Sequence, residues 1–278
     1  MVKVLVTGAN GMLGQDLCPM LEDCDFIDEV IETDRHNLDI TNEIEVNKVL
    51  NEYKPDYIIH CAAYTNVDKA ETDLENAEKI NVHGTENIAK AANKINATLI
   101  YISTDYVFDG TKKEKYLPID ATNPLNNYGK TKLQGELAVQ KYCKKYYITR
   151  TSWLYGHHGK NFIETMLKYG KEGKELKVVN DQFGCPTWTV GLSEGICDII
   201  EENPDYGIYH ICGSGETTWY EFAKEIFKQA NVDAKLSPCT TEEYPVPAKR
   251  PKYSAMENDG ICENWKVSLK KYLELKVG

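Results

Sequence analysis

Tyr128 and Lys132 stand four residues apart in the run Tyr128-Gly129-Lys130-Thr131-Lys132. On a helix that spacing puts both side chains on one face. A free tyrosine titrates near ~10, too high for proton exchange at neutral pH. A lysine ammonium beside it favours the phenolate and lowers that value. The pair is therefore suited to give or take a proton in carbonyl and alcohol chemistry. A third member, a hydroxyl, is available where the run Ile100-Tyr101-Ile102 ends in Ser103-Thr104-Asp105. Thr104 at a strand end is expected to hydrogen-bond a substrate oxygen beside Tyr128. Taken alone these features are common. Tyr-x-x-x-Lys occurs on many helix surfaces, and Ser-Thr-Asp favours turns and caps.

Their meaning depends on the elements that carry them. The chain begins with Val4-Leu5-Val6-Thr7-Gly8-Ala9-Asn10-Gly11-Met12-Leu13-Gly14. An apolar, β-prone run stops at glycines spaced by three, and helix-compatible residues follow. This predicts a buried strand turning into a helix whose N-terminus faces a phosphate. Backbone N–H groups and the helix dipole favour an anion there, and glycines let a pyrophosphate come close. Tight turns also use glycine, but Asp34 stands 20 residues past Gly14, where an acid can accept from a ribose 2′-OH. Arg35 follows at once and can pair with a 2′-phosphate instead. Both NADH and NADPH are expected to serve as cofactor.

Strand-like and helical runs alternate through the first half. Strands are predicted at 3–6, 29–32, 57–61, 99–103 and 146–150. Helices are predicted at 11–21, 42–53, 74–94 and from Pro124 to about Lys141. Alternation of this kind means an α/β fold with a doubly wound parallel sheet of Rossmann type. Ligands then lie outside the carboxyl ends of the strands. Beyond Trp153 the rhythm loosens: helices at 161–169, 190–201 and 220–230, strands at 176–179 and 208–211, a polar loop at 180–187, and an irregular, proline-rich stretch at 238–254. The expected organisation is a dinucleotide-binding domain over residues 1–153, with returning segments. Residues 154–278 are expected to form mainly a smaller C-terminal α/β substrate lobe, with a cleft between the two.

Composition narrows the function classes. A net charge of −11 over 278 residues, with no basic run, argues against a nucleic-acid binder. No apolar stretch is long enough to span a membrane. A strand two residues in leaves no room for a signal peptide. Nine scattered cysteines without a Cys-x-x-Cys pair read as reduced, space-filling thiols. Cys18, Cys61 and Cys185 therefore receive no catalytic role, and a cytoplasmic location is expected. The chain has three arginines, Arg35, Arg150 and Arg250. Arg250 sits in Pro247-Ala248-Lys249-Arg250-Pro251, where flanking prolines prevent a helix. Such a loop suits a cationic side chain that reaches over a cleft to an anionic ligand, and equally a surface cation that aids solubility.

The glycine run with Tyr128 and Lys132 resembles the extended short-chain dehydrogenase/reductases. More narrowly, His60-Cys61-Ala62-Ala63-Tyr64-Thr65-Asn66-Val67-Asp68-Lys69-Ala70-Glu71 is similar to the dTDP-4-dehydrorhamnose reductases. So are Ser103-Thr104-Asp105-Tyr106-Val107-Phe108-Asp109-Gly110 and the stretches 124–132, 150–156, 180–187 and Arg250-Pro251. The similarity covers nearly the whole chain. It implies a cofactor site of Gly8, Asn10, Gly11, Met12, Leu13, Gly14, Asp34, Arg35, Asp39, Ile40, Ala62, Ala63, Tyr64, Thr65, Tyr128 and Lys132. Asn10, Gly11 and Met12 would cradle the pyrophosphate, and Asp39 and Ile40 would flank the adenine. Thr65, Val67, Thr104, Asp105, Trp153 and Arg250 would bind a nucleotide-sugar. Trp153 would pack on the apolar face of a deoxysugar, although residue type alone fits core packing as well. The implied reaction delivers a hydride from reduced nicotinamide to C4 of a 4-keto-6-deoxy sugar, with Tyr128 donating the proton. The product would be dTDP-L-rhamnose, a surface-polysaccharide building block.

Two other readings stand beside this one. Nucleotide-sugar dehydratases and epimerases share the scaffold, but a dehydratase needs an acid–base pair as Thr-Asp-Glu, and here Tyr106 follows Asp105. A non-catalytic regulatory subunit like that of methionine adenosyltransferase has no need of the Tyr128, Lys132 and Thr104 set. Some members of the family dimerise around Mg2+. Asp16 matches one ligand, but no carboxylate follows Thr187 until Glu194, so no metal is assigned and a metal-bridged dimer is doubtful. A monomer or homodimer is expected.

Overall fold

The computed structural model describes residues 2–258 and 260–276. Strand β1 (Lys3–Thr7) is apolar along most of its length, and Val4, Leu5 and Val6 are fully buried because helices cover both its faces. Strands β2 (Glu29–Thr33), β3 (Tyr57–His60), β4 (Thr98–Thr104) and β5 (Tyr146–Thr151) lie parallel to it. Short strands β6 (Leu154–Tyr155), β7 (Glu175–Val179), β8 (Phe183–Gly184) and β9 (Thr187–Trp188) stand outside this sheet. Strand β10 (Gly207–His210) returns to it and pairs with β5. The order is β10-β5-β4-β3-β1-β2. It reverses direction between β1 and β3, where a ligand crevice opens beyond the strand ends.

Two helical layers enclose the sheet. Helix α1 (Met12–Glu22) covers one face. Helices α2 (Glu43–Tyr53), α3 (Leu74–Glu78), α4 (Thr85–Lys94) and α5 (Asn127–Tyr142) follow, then α6 (Phe162–Lys171) and α7 (Thr189–Glu202). Leu13, Leu17 and Leu21 of α1 meet Ile196 and Ile200 of α7 over Val4 and Val6. Leu5 points the other way, into Val46, Leu50, Ile88 and Val139 of α2, α4 and α5. That split is the two-residue alternation of a strand buried on both sides. A separate, aromatic core joins Tyr155 and Trp188 to Phe222 and Trp265. The latter two belong to α8 (Trp219–Gln229) and α9 (Trp265–Leu275). Two further strands, β11 (Thr217–Thr218) and β12 (Lys235–Cys239), pair with β8 and β7. No helix among the described residues is long and apolar enough to cross a membrane.

The single helix expected at 74–94 is interrupted. Between α3 and α4, residues Lys79–Gly84 wind as a π turn. Asn81 is the reason the wider turn holds. Its side chain accepts from Tyr64 N–H at 2.8 Å, donates to Tyr64 C=O at 3.1 Å, and donates to Thr131 Oγ1 at 3.0 Å. Such turns recur at functional sites, and this one pins the loop after β3. The loop expected at 180–187 holds the short strands β8 and β9 instead, each of them two residues long.

Candidate active site

The turn after β1 is built from positions where a side chain does not fit. Gly8 has φ +70°, and a Cβ there would lie 2.8 Å from the Ala62 nitrogen. A Cβ on Gly14 would lie 2.4 Å from the Ala9 carbonyl oxygen. Gly11 caps α1 without any side-chain hydrogen bond, so the first-turn N–H groups are left for a ligand. Gly8, Gly11, Met12, Leu13 and Gly14 line a cleft of about 520 Å³. This cradle fits the pyrophosphate of a dinucleotide.

Thr104, Asp105, Tyr128, Lys132 and Trp153 line the same cleft, with Ala62, Ala63 and Thr65. Asn126 caps α5 by accepting from Gly129 N–H at 2.8 Å, which fixes where Tyr128 enters. Burial pushes the Tyr128 phenol up to about 12, and the Thr104 hydroxyl hydrogen-bonded to it pulls the other way. Thr104 Oγ1 also donates to Asp105 Oδ1 at 3.1 Å, and Ser254 Oγ donates to Asp105 Oδ2 at 2.6 Å. Burial lifts the Asp105 carboxyl to about 7 against these bonds.

Lys132 departs from the sequence reading. Its ammonium donates to the Ile102 carbonyl at 2.7 Å and sits 4.1 Å from the Tyr101 ring centroid. Burial lowers it to about 7. The lowering of Tyr128 expected from a neighbouring ammonium is absent, because that ammonium points at the end of β4 and burial of the phenol outweighs every other influence.

The remaining predicted residues divide. Asn10, Asp34, Arg35, Asp39, Ile40, Tyr64 and Val67 are not among the residues lining the cleft. Asn10 turns toward Asp34 instead: its amide donates to Asp34 Oδ2, and the same carboxylate accepts from His36 N–H at 2.7 Å. Arg35 is exposed beside it. Asp39 accepts from Thr41 N–H at 2.9 Å, and Ile40 packs against Gly84. Tyr64 Oη donates to Asp73 Oδ2 at 3.0 Å. Trp153 has φ +47°, unusual for a bulky residue, and stacks on Trp219 at 3.6 Å between centroids. Its ring therefore already has one face covered.

Arg250 lines a second cavity of about 510 Å³, with Tyr106, Phe162, Trp219 and Tyr244. Its fork is engaged: Nη1 and Nη2 meet Asp68 Oδ1 and Oδ2 at 2.7 and 2.8 Å. The bonds from Arg250 hold Asp68 below the usual carboxylate range. Lys160 lines both cavities and was not signalled by any motif. Asp16 bonds Thr189 Oγ1 and lies 3.4 Å from His158 Nε2. Cys61 lies at the cleft, and burial pushes its thiol up.

A parallel sheet with a glycine cradle and a Tyr–Lys–Thr set in one cleft defines an extended short-chain dehydrogenase/reductase, an NAD(P)-dependent oxidoreductase. The family model described as "RmlD substrate binding domain" matches residues 2–275. A dTDP-4-dehydrorhamnose reductase structure from Clostridium acetobutylicum is 48% identical, covers 100% of both chains and superposes with a TM-score of 0.96. A dTDP-4-dehydrorhamnose reductase from Bacillus anthracis, solved in complex with NADP, is 42% identical over 99% of this chain and 100% of that one, with a TM-score of 0.94. The spore coat polysaccharide biosynthesis protein SpsK of Bacillus subtilis is 39% identical over 99% of this chain and 98% of its own. The chain belongs to the dTDP-4-dehydrorhamnose reductase family.

Proposed function

We propose that this protein reduces the C4 keto group of dTDP-4-dehydro-L-rhamnose to give dTDP-L-rhamnose for surface polysaccharide. The observation that carries the reading is the convergence of Tyr128, Thr104 and Lys132 on the cleft that holds the glycine cradle. A bound nicotinamide cofactor supplies the hydride. Tyr128, protonated throughout the neutral range, donates its proton to the developing alkoxide. Thr104 orients that oxygen. The segments outside the main sheet form the substrate lobe, and the second cavity receives the nucleotide, with Trp153 near the sugar. At the position of a dehydratase's glutamate stands Tyr106, whose phenol burial pushes up, so the base needed for elimination is missing. Nine free cysteines suit a reducing compartment, the cytoplasm.

The test is oxidation of NADPH and NADH, followed spectrophotometrically, against a panel of nucleotide-linked 4-keto-6-deoxysugars. Turnover confined to other keto substrates overturns the substrate assignment. Both cofactors are expected to work. The Asp34 carboxylate is held by Asn10 and His36, and Arg35 is exposed beside it. A preference above about a hundredfold in kcat/KM, or roughly 2.7 kcal/mol, contradicts this.

Arg250→Ala is expected to raise KM for the nucleotide-sugar while cofactor affinity stays unchanged. The loss of one charge-assisted contact corresponds to roughly 1.5–3 kcal/mol. Part of that effect would act through Asp68, which loses its charged partner at the cavity wall and keeps the Ala248 N–H. An unaltered KM removes Arg250 from the substrate site.

A further inference from the structure

Tyr128, Lys132 and Glu136 recur every four residues along α5 and so share one face. That face lies against the last three residues of β4, and each contact is separate. Lys132 Nζ donates to the Ile102 carbonyl at 2.7 Å. Ser103 Oγ donates to Glu136 Oε1 at 2.5 Å. Thr104 is hydrogen-bonded to Tyr128. Glu136 accepts two more bonds from Arg150 on β5: Nε at 2.9 Å and Nη2 at 2.7 Å. Both partners are only 2% exposed. Arg150 also donates from Nη1 to the Pro118 carbonyl at 3.2 Å and lies 5.1 Å from the Phe108 ring centroid.

Burying a whole ion pair is a poor route to stability. Two apolar side chains of similar volume would avoid the desolvation cost. The negative end of this pair lies one helical turn from Lys132, which itself lines the cleft.

We propose that Glu136, held by Arg150 and Ser103, is a positioning residue for the reduction, setting the rotation of α5 on β4 and keeping the Lys132 side chain charged and aimed. This rests on the reading of Tyr128 and Lys132 given above. The groups around the Lys132 ammonium are Tyr101 from β4, His60 at the end of β3 and Cys61 just after it, and Glu136 from α5 with Arg150 behind it; Tyr128 stands one turn earlier on the same helix face. His60 is pushed down to about 3, by burial first and Lys132 second, so it adds no charge. Against the burial that lowers Lys132, Glu136 is the largest opposing influence and Cys61 the next. Removing the Glu136 charge therefore makes Lys132 lose its proton at lower pH.

The test compares wild type with the double variant Glu136→Gln/Arg150→Met, which removes both members of the ion pair together, so that neither is left as an unpaired charge. The kcat/KM–pH profile and the melting temperature are measured on the same preparations. The Lys132 titration is also followed by NMR of 13Cε-labelled lysine, assigned with Lys132→Met. In the folded double variant kcat is expected to fall about tenfold. The alkaline limb and the lysine titration should both move down by about one pH unit. A folded double variant with an unmoved limb and lysine titration overturns the proposal and leaves the pair a structural one. If the double variant does not fold, Glu136→Asp decides. It keeps the charge but withdraws it, so a smaller shift in the same direction supports the proposal and no shift overturns it. Absence of turnover by wild type would count against the proposed function alone, because the NMR titration reads the influence of Glu136 without catalysis.

Discussion

Tyr128→Phe is expected to lower kcat by about a thousandfold, in the range of a lost general acid, with dinucleotide affinity unchanged. The ring keeps its packing, including the edge contact with Tyr106 at 5.9 Å between centroids. What disappears is one hydroxyl whose proton has nowhere else to come from at that position. Asp105, lifted to about 7, has both carboxyl oxygens engaged, one by Thr104 and one by Ser254, and is a poor substitute. Fluorescence titration of the cofactor beside steady-state kinetics checks both halves. A variant within tenfold of wild type would sink the assignment of Tyr128 as proton donor.

Lys132→Met is expected to act on catalysis and stability in opposite directions. Loss of the ammonium at the cleft should reduce kcat/KM by about a hundredfold and weaken cofactor binding. Stability should rise, and by an amount that depends on pH. Burial lowers the folded-state value of Lys132 from its ordinary 10.5 to about 7. Between those two values the unfolded chain holds a proton that the folded chain does not, so wild-type stability increases with pH across that window. Below it both states are charged, and the folded state carries the full burial penalty. The variant should therefore melt above wild type near about pH 6, with the gap narrowing toward about pH 10. A gap that is constant with pH, or of opposite sign, refutes the buried, depressed lysine.

The parts of this molecule that could be read in sequence are those whose partners lie nearby in the chain. The β1 turn is announced by glycines because backbone packs on backbone there. Tyr128 and Lys132 are announced by helical spacing. Helix α9 carries an equally clear signal in Trp265, Ser268, Leu269, Tyr272 and Leu273, all buried on one side, yet it follows a stretch that reads as irregular. Other features have no local trace. Glu136 looks like any solvated helix glutamate until Arg150 and Ser103 arrive from neighbouring strands. The fork of Arg250 looks free until Asp68, 182 residues earlier, closes on it. The direction of the Lys132 ammonium depends on a backbone carbonyl of another element, which residue type does not encode.

The π turn at Lys79–Gly84 ties a cleft loop to the winding of a helix. Each residue of a regular helix advances the chain by about 100° around its axis. A wider turn is thus a phase correction: it lets α3 and α4 each face the core while Asn81 faces the Tyr64 backbone. Gain or loss of a single codon in this stretch would break that phasing, swinging either the amide or the apolar side of α4 out of place. A surface connection tolerates a change of length at little cost, but across Lys79–Gly84 the count of residues is locked to the shape of the cleft.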